Sequence, residues 1–460
     1  MSKTFRPWDV DQRWLLPPSV DEFVPEGHVA HFVRDTVRDG LDLSAIMSSY
    51  DEERGFPPYH PTMMTALLIY GYSQGVYSSR RIAKACEERV DFMAVTALNR
   101  PDFRTISDFR KRHLAALSGL FVQVLKLCAG AGLVKLGHVA IDGTKLKANA
   151  SKHKAMSYGR MNEAEARLKA EVAAWFAKAA ASDAAEDAAH GADRRGDEMP
   201  AWVANKQERA AKIRAARAAL EAEAQAAATK RTAPADGPDD PGAAKSSAAA
   251  TTAAATPVKP EPKAQRNFTD PESRIMKTKD GFIQGYNAQA AVDAASQVIV
   301  AHDLVATGVD VEQLLPMVDA VEAMAGAQPK EVSADAGYCS EDNLAGIDKR
   351  GVKGYVATGR HKHGATSATG GWAKRRGTRV AAMATRLKRG ARRSRYRLRK
   401  QVVEPVFGQI KQARGFRQLL LRGLVKAKAE WAIVCAVHNL LKLAAARRFA
   451  APPGRMAATA

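Results

Sequence analysis

Gly137-His-Val-Ala-Ile-Asp-Gly-Thr-Lys-Leu-Lys-Ala-Asn-Ala150 is the stretch on which the reading of the fold turns. Its apolar residues alternate and glycine bounds it, which is the period of a strand. The residues before it have another period. His28–Val37, Met63–Tyr70, Arg80–Val90 and Thr105–Cys128 carry apolar side chains three and four apart, so residues 1–135 are expected to form an all-helical domain. Pro57, Pro58, Pro61 and Pro101 punctuate it, and Thr105 or Ser107 could cap the helix near Asp102. The strand at 136–155 therefore opens a second domain.

That domain is interrupted at once. Residues 156–228 are rich in Ala, Glu, Lys and Arg, strong helix formers, with apolar stripes at Met161, Leu168, Val172 and Trp175 and at Ile213, Ala216 and Leu220. A break from Gly191 to Pro200 suggests a long hairpin. It is either a solvated hairpin held by ion pairs or a dimerisation or DNA-end clamp. Residues 229–264 lack large apolar side chains and read as a disordered linker. Order resumes with strands at Gly281–Asp293 and Gln297–His302 and a helix at Val311–Ala325. A strand at Glu331–Asp335, a helix near Glu341–Arg350 and a strand at Gly354–Thr358 follow. Arg392–Ala446 is helical in period, with Pro405 and Gly415 as breaks, and 447–460 reads as a flexible tail. The fold class is α/β: a mixed-sheet domain, 265–446 completing what 136–155 begins, split by a helical insertion and preceded by an all-α domain.

Charge narrows the partners. The 460 residues carry a net charge of +21. Residues 345–460 hold 28 Lys+Arg against Asp348, Glu404 and Glu430, a net of +25, which leaves the preceding 344 residues at −4. A basic surface of this kind favours polyanions. No uninterrupted apolar run reaches the roughly 18 residues of a membrane span; Trp431–Val437 is stopped by His438 and Asn439. The first residues lack the apolar core of a secretory signal. The four cysteines lie far apart, with no disulfide or zinc spacing. A reducing compartment, cytoplasmic and close to the nucleoid, is the expectation, with no membrane and no small-molecule substrate.

Three acids stand where chemistry would need them. Asp142 lies in the apolar-flanked strand Val139-Ala-Ile-Asp142, where an unpaired charge is costly. Asp335 ends a short strand, and open sheets place ligands at the carboxyl ends of their strands. Glu404 is the only acid among 19 Lys+Arg between Trp372 and Lys428, with Pro405 after it suggesting a helix start or a kink. Other readings stay open on the residues alone. Asp142 could cap a turn, Asp335-Ala-Gly could be a plain loop, and Glu404 could pair with Lys400 or Arg399. Asp293 and Asp310 compete for the same site. Oxygen ligands without Cys or His point to magnesium, with manganese able to substitute. His361-Lys-His363 looks more like a phosphate-contacting loop than a metal pair.

These residues resemble the DDE transposases of bacterial insertion sequences. Asp11-Gln-Arg-Trp-Leu-Leu-Pro-Pro-Ser19, Tyr59-His-Pro61 with Leu67–Tyr72, and Pro101-Asp-Phe-Arg-Thr-Ile-Ser-Asp-Phe-Arg-Lys-Arg-His-Leu114 are similar to that family's helical N-terminal domain. Ala140–Ser151, Gly285-Tyr-Asn-Ala-Gln-Ala-Ala-Val-Asp293 and Ala334-Asp-Ala-Gly-Tyr338 resemble its first catalytic strand, the following hairpin and its second-aspartate motif. Val403-Glu-Pro-Val-Phe-Gly-Gln-Ile-Lys411, Arg414–Arg417, Leu421–Gly423 and His438–Leu441 resemble its glutamate helix and tail.

The resemblance implies an RNase H-like core with Asp142, Asp335 and Glu404 as the metal-binding catalytic triad, and it demotes Asp293 and Asp310. It implies cleavage of DNA by metal-activated water and joining of the 3′-hydroxyl to target DNA. The partners implied are double-stranded DNA, as terminal inverted repeats and target, and further copies of the chain in a homo-oligomer. Lys145, Lys147, Arg399, Lys400, Lys411, Arg414, Arg417, Arg422, Arg104 and Arg110 are the expected DNA contacts. One departure stands out. Relatives carry Tyr, Arg, Glu and Lys around the third acid, with two, three and six residues between them. Here Lys400 holds the Arg position and Tyr396 is one residue early, whereas Lys411 keeps its spacing from Glu404 and is expected to share its helix face. The competing readings are a non-catalytic DNA-binding protein derived from a transposase, and a nuclease without strand transfer.

Overall fold

The computed structural model describes residues 19–50, 57–190, 201–232, 258–278, 280–359, 378–390 and 395–450. The expected break at Gly191–Pro200, most of the expected linker, His361-Lys-His363 and the tail from 451 lie outside these residues.

The N-terminal part is helical: α1 Val29–Gly40, α2 Ser44–Met47, α3 Pro61–Ser73, α4 Ser79–Glu88, α5 Val90–Thr96, α6 Phe103–Arg112 and α7 Leu114–Gly130. Helix α3 is apolar all round because neighbours bury nearly its whole length. Two local expectations are corrected. Asp102, not Thr105 or Ser107, caps α6, accepting from Arg104 N at 2.7 Å. A capping side chain must precede the first turn, and Thr105 lies within it. The one helix expected over Thr105–Cys128 is two, bent by 72° at His113.

The second part begins with β1, Val139–Lys147. A short strand β2, Ala155–Ser157, leads to α8, Tyr158–His190, and α9, Ala201–Thr232. Strand β3, Gln265–Asn267, closes that excursion by pairing with β2. The hairpin has its own core, in which Met161, Leu168, Ile213 and Leu220 pack together. Glu165 is buried in it and ion-paired to Lys169, Arg214 and Arg217.

The remaining elements are β4 Arg274–Thr278, β5 Gly281–Asp293, β6 Ile299–Val305, α10 Leu314–Ala325, β7 Glu331–Ala334, α11 Glu341–Lys349, β8 Lys353–Val356, α12 Arg379–Gly390, α13 Leu398–Gly408 and α14 Leu424–Ala450. The sheet runs β4-β5-β1-β7-β8, with β6 also on β5. Strand β1 pairs antiparallel with β5 from Val139↔Asp293 to Lys147↔Gly285, and parallel with β7 at Val139↔Val332 and Ala140↔Ser333. Strands β7 and β8 are also parallel. A helical N-terminal region with this mixed sheet and its flanking helices is consistent with the expected RNase H-like core.

Helix α14 changes one reading of the sequence. Leu424–Arg447 is long and apolar enough to cross a membrane by length and composition, but 72% of its apolar window is buried inside the protein. The polar residues that interrupt its apolar run are tied to the sheet. Asn439 bonds both ways with Ile299 at 2.8 Å, and His438 Nε2 meets Gln297 O at 3.0 Å. Burial pushes the His438 imidazole down to about 3, so it is neutral.

A buried polar network joins the two parts. Glu430 on α14 is fully buried; it accepts from Tyr72 Oη at 3.1 Å and from the backbone of Leu420 and Leu421 at 2.8 and 3.0 Å. Arg110 on α6 donates to Tyr72 Oη, Tyr77 O and Ser79 Oγ. Removing a carboxylate that serves this many buried donors strands them. Glu430→Leu is therefore expected to cost about 3 kcal/mol in denaturant unfolding. A loss below roughly 1 kcal/mol would show that the network does not join the two parts.

Candidate active site

The parallel pairing of β1 and β7 stops after Ala140 and Ser333. Beyond that point the strands part, and the same register would set Asp142 beside Asp335. The fork lies at the carboxyl ends of two neighbouring parallel strands, where open sheets bind ligands. Asp335 turns the chain out of β7, with its Oδ1 accepting from Gly337 N at 2.8 Å. On β5, opposite Asp142 and Thr144, stand the fully buried Ala290 and Ala288. Such small side chains let α13 approach this part of the sheet.

Helix α13 brings Arg399 to the fork. Its guanidinium is largely buried and meets Asp142 Oδ2 at 2.6 Å, while its other amine stands 4.0 Å from Glu404 Oε1. Tyr396 lies beneath the guanidinium at 6.0 Å. The structure thus settles which cation faces the acids after the one-residue shift in spacing: Arg399 is turned in, and Lys400 is exposed. Burial pushes the Asp142 carboxyl up to about 6; Arg399 works against this and the charge of Asp335 adds to it.

Glu404 is not at a helix start. It lies inside α13, exposed, one residue before a proline that is also inside the helix. Pro405 removes the N–H that would serve Gln401 O, and Gln297 Nε2 fills the vacancy at 2.9 Å. The helix then widens into a π turn, Gln409–Ala413. Lys411 lies within that turn. Lys411 is pinned to β1, donating to Thr144 Oγ1 at 3.0 Å and Lys145 O at 3.2 Å. Burial lowers its pKa, as does the nearby Arg417.

The structure therefore brings Asp142 and Asp335 together and leaves Glu404 on the far side of Arg399. Among the described residues no three acids, histidines or cysteines already form a metal-ligand cluster. The donor chemistry nonetheless fits a hard divalent cation: all are carboxylates, and two converge on the fork.

The expected DNA contacts divide. Lys147, Lys400, Arg417, Arg422 and Arg104 are exposed, and Lys145 is partly so, reaching Gly308 O at 3.0 Å. Arg110 and Arg414 are corrected: both turn inward. Arg110 serves the Tyr72 network, and Arg414 bonds His438 Nδ1 at 3.2 Å and Gln409 O at 3.3 Å. On the helical domain, Arg80 and Arg104 flank the Phe103 ring at 4.9 and 5.5 Å, beside an open concavity of about 490 Å³ that Lys111 also lines. Asp293 is structural, because its carboxylate accepts from the backbone of Lys135, Leu136 and Ala295. Reading 285–293 as a plain strand missed Asn287 and Gln289. Their polar side chains two apart, alternating with Ala288 and Ala290, were the available signal.

Arg399→Met would leave Asp142 buried beside Asp335 with no counter-ion. A loss of about 2–3 kcal/mol in denaturant unfolding is expected, discounted for the partial exposure of the pair. The double change Asp142→Asn with Arg399→Met should recover most of it; failure to recover would show that the ion pair is not the cause.

Residues 18–112 match the family described as Transposase domain (DUF772), and residues 251–440 match the family described as Transposase DDE domain. No curated protein and no solved structure matches the chain. The second match contains Asp335 and Glu404 but starts after Asp142, beyond the insertion; β1 joins it through pairing with β5 and β7. With a DUF772 transposase domain followed by a DDE domain, the chain belongs to the DDE transposases.

Proposed function

We propose that this transposase binds the ends of its element, cuts the phosphodiester there and joins the freed 3′-hydroxyl to target DNA, with Asp142, Asp335 and Glu404 as its catalytic acids. The observation that carries the reading is the fork itself: two aspartates just beyond the paired residues of β1 and β7, close enough for the charge of one to raise the pKa of the other, faced by helix α13 with Arg399. Magnesium or manganese held by these carboxylates would lower the pKa of the attacking water and polarise the phosphoryl group.

The chain's own residues do the rest. For the three acids to meet, Arg399 must leave Asp142, and its guanidinium is then free to pair with a phosphate oxygen. In the first step the water oxygen bonds to phosphorus while the 3′-oxygen leaves and takes up a proton. In the second, that 3′-oxygen attacks a target phosphodiester and displaces the target's own 3′-oxygen. Lys147, Lys400, Arg417 and Arg422 offer exposed charge for the backbone, so binding weakens steeply with salt. The exposed arginines beside Phe103 suit the element end, and two ends call for at least two copies of the chain.

Asp142→Ala is expected to bind end DNA like the wild type and to lose Mg²⁺-dependent nicking entirely; a variant that still nicks would sink the assignment of the acids. No nicking by the wild type in Mg²⁺ or Mn²⁺ would favour a DNA-binding protein without catalysis. A pre-cut end with a free 3′-hydroxyl that is never joined would favour a nuclease.

The pH dependence follows from Asp142. A cation needs the ionised carboxylate, and here the carboxyl sits at about 6 rather than 3.8. With end DNA bound, so that Arg399 has left Asp142 for a phosphate, calorimetric titration with Mn²⁺ should show affinity falling as the pH is lowered from 7.5 through 6. Affinity that holds until pH 4 would mean that Asp142 is not a ligand.

A further inference from the structure

Two glycines beside the site's aspartates make room for one further carboxylate. A Cβ on Gly143 would lie 3.0 Å from Asp310 Oδ1, 2.9 Å from Asn287 Oδ1 and 2.5 Å from Gln289 Nε2. A Cβ on Gly337 would lie 3.6 Å from Asp310 Oδ2 and 3.0 Å from Asp335 Oδ1. Asp310, carried on the loop after β6, thus reaches both the Asp142–Gly143 step of β1 and the Asp335–Gly337 turn after β7.

Its two oxygens have different surroundings. Oδ1 accepts from Asn287 Nδ2 at 2.6 Å, Gln289 Nε2 at 3.0 Å and Lys145 Nζ at 3.5 Å. Gln289 is fixed in turn by the Tyr338 hydroxyl. No donor to Oδ2 is found among the described residues. Asn287 is fully buried, and its Oδ1, next to the Gly143 gap, also has no hydrogen-bond partner there.

A neutral acceptor would satisfy Asn287 and Gln289. A carboxylate in this place adds a charge that must be balanced. Lys145 approaches one oxygen only, and Arg399 is committed to Asp142. Asp335 makes no ion pair within 4 Å among the described residues, and Arg399 acts on it only from a longer distance. Negative charge therefore exceeds positive charge at the fork, and two oxygens without donors lie beside the excess.

We propose that Asp310 is a fourth acid of the site, with Oδ1 locked by the amide ladder and Oδ2 offered, alongside Asp335, as an oxygen ligand for the divalent cation. The proposal rests on the metal-dependent reading above. Magnesium keeps much of its water and needs only one or two carboxylates, so this pair can hold it while Arg399 still occupies Asp142.

The test titrates Mn²⁺ alone into the full chain without DNA, following free Mn²⁺ by electron paramagnetic resonance. Asp310→Asn keeps an oxygen for Asn287 and Gln289, so its melting temperature should match the wild type, yet its Mn²⁺ affinity should fall about tenfold or more, as in Asp335→Asn. Asp303→Asn, which touches Lys428 rather than this site, should bind like the wild type. Lys145→Met removes the ammonium that shares Asp310 and should tighten Mn²⁺ binding. If Asp310→Asn binds as the wild type does while Asp335→Asn is weakened, Asp310 is only a structural acceptor and the proposal is overturned. If the wild type binds no Mn²⁺ and Asp335→Asn changes nothing, the metal-dependent reading falls and this proposal with it. Should Asp310→Asn not fold, Lys145→Met decides: tighter binding supports the proposal, and unchanged or weaker binding overturns it.

Discussion

Pairing of β1 on both sides is the constraint from which the rest of the structure follows. On one side it runs in unbroken register with β5 along its whole length, and on the other it meets β7 for only two residues. The long pairing brings the chain back to β1, as β5, after the excursion through α8 and α9. A closure across so many residues adds only a logarithmic entropy cost, which a nine-residue ladder can offset. The short pairing matters as much. Because it ends early, two polar strand ends are left facing a gap rather than each other, and the gap is where the acids stand.

Electrostatics then decides what the gap holds. The chain concentrates positive charge in its last quarter, yet among the described residues only one of those cations, Arg399, is brought into contact with Asp142 at the fork. Lys145 approaches from β1 itself and shares Asp310. Two other arginines that looked available for DNA, Arg110 and Arg414, serve the interior instead. A guanidinium can satisfy several buried acceptors at once, and both residues do so where the helical domain meets the sheet domain. Charge counted along a chain therefore overstates the charge displayed on its surface.

The same junction explains the polar residues of α14. A helix with this length and composition could have belonged in lipid. Here Glu430, His438 and Asn439 each find a partner on the helical domain, the loop before α14 or the edge of the sheet. Their bonds fix the rotation of α14 about its axis and so the seat of the whole helical domain.

Much of the fold is legible in the sequence. Period alone separates the helices of 1–135 from the strand at 137–150, because alternation and three-to-four spacing are local properties of the chain. Asp142, Asp335 and Glu404 were visible through their company: an apolar strand, a strand end and a run of cations. Local sequence could not say that Asp102 caps α6 or that Pro405 sits inside a helix, since each depends on where a backbone bond finds its partner. Pro405 is tolerated because Gln297, more than 100 residues earlier, serves the carbonyl it would orphan. Nor could sequence show that Arg399 rather than Lys400 faces Asp142, or that Asp310 lies beside the turn after Asp335 while Asp293 caps a turn. Those outcomes turn on helix rotation and strand register. Side chains distant along the chain set both, and a shift of one residue in either sends a charge to the opposite face.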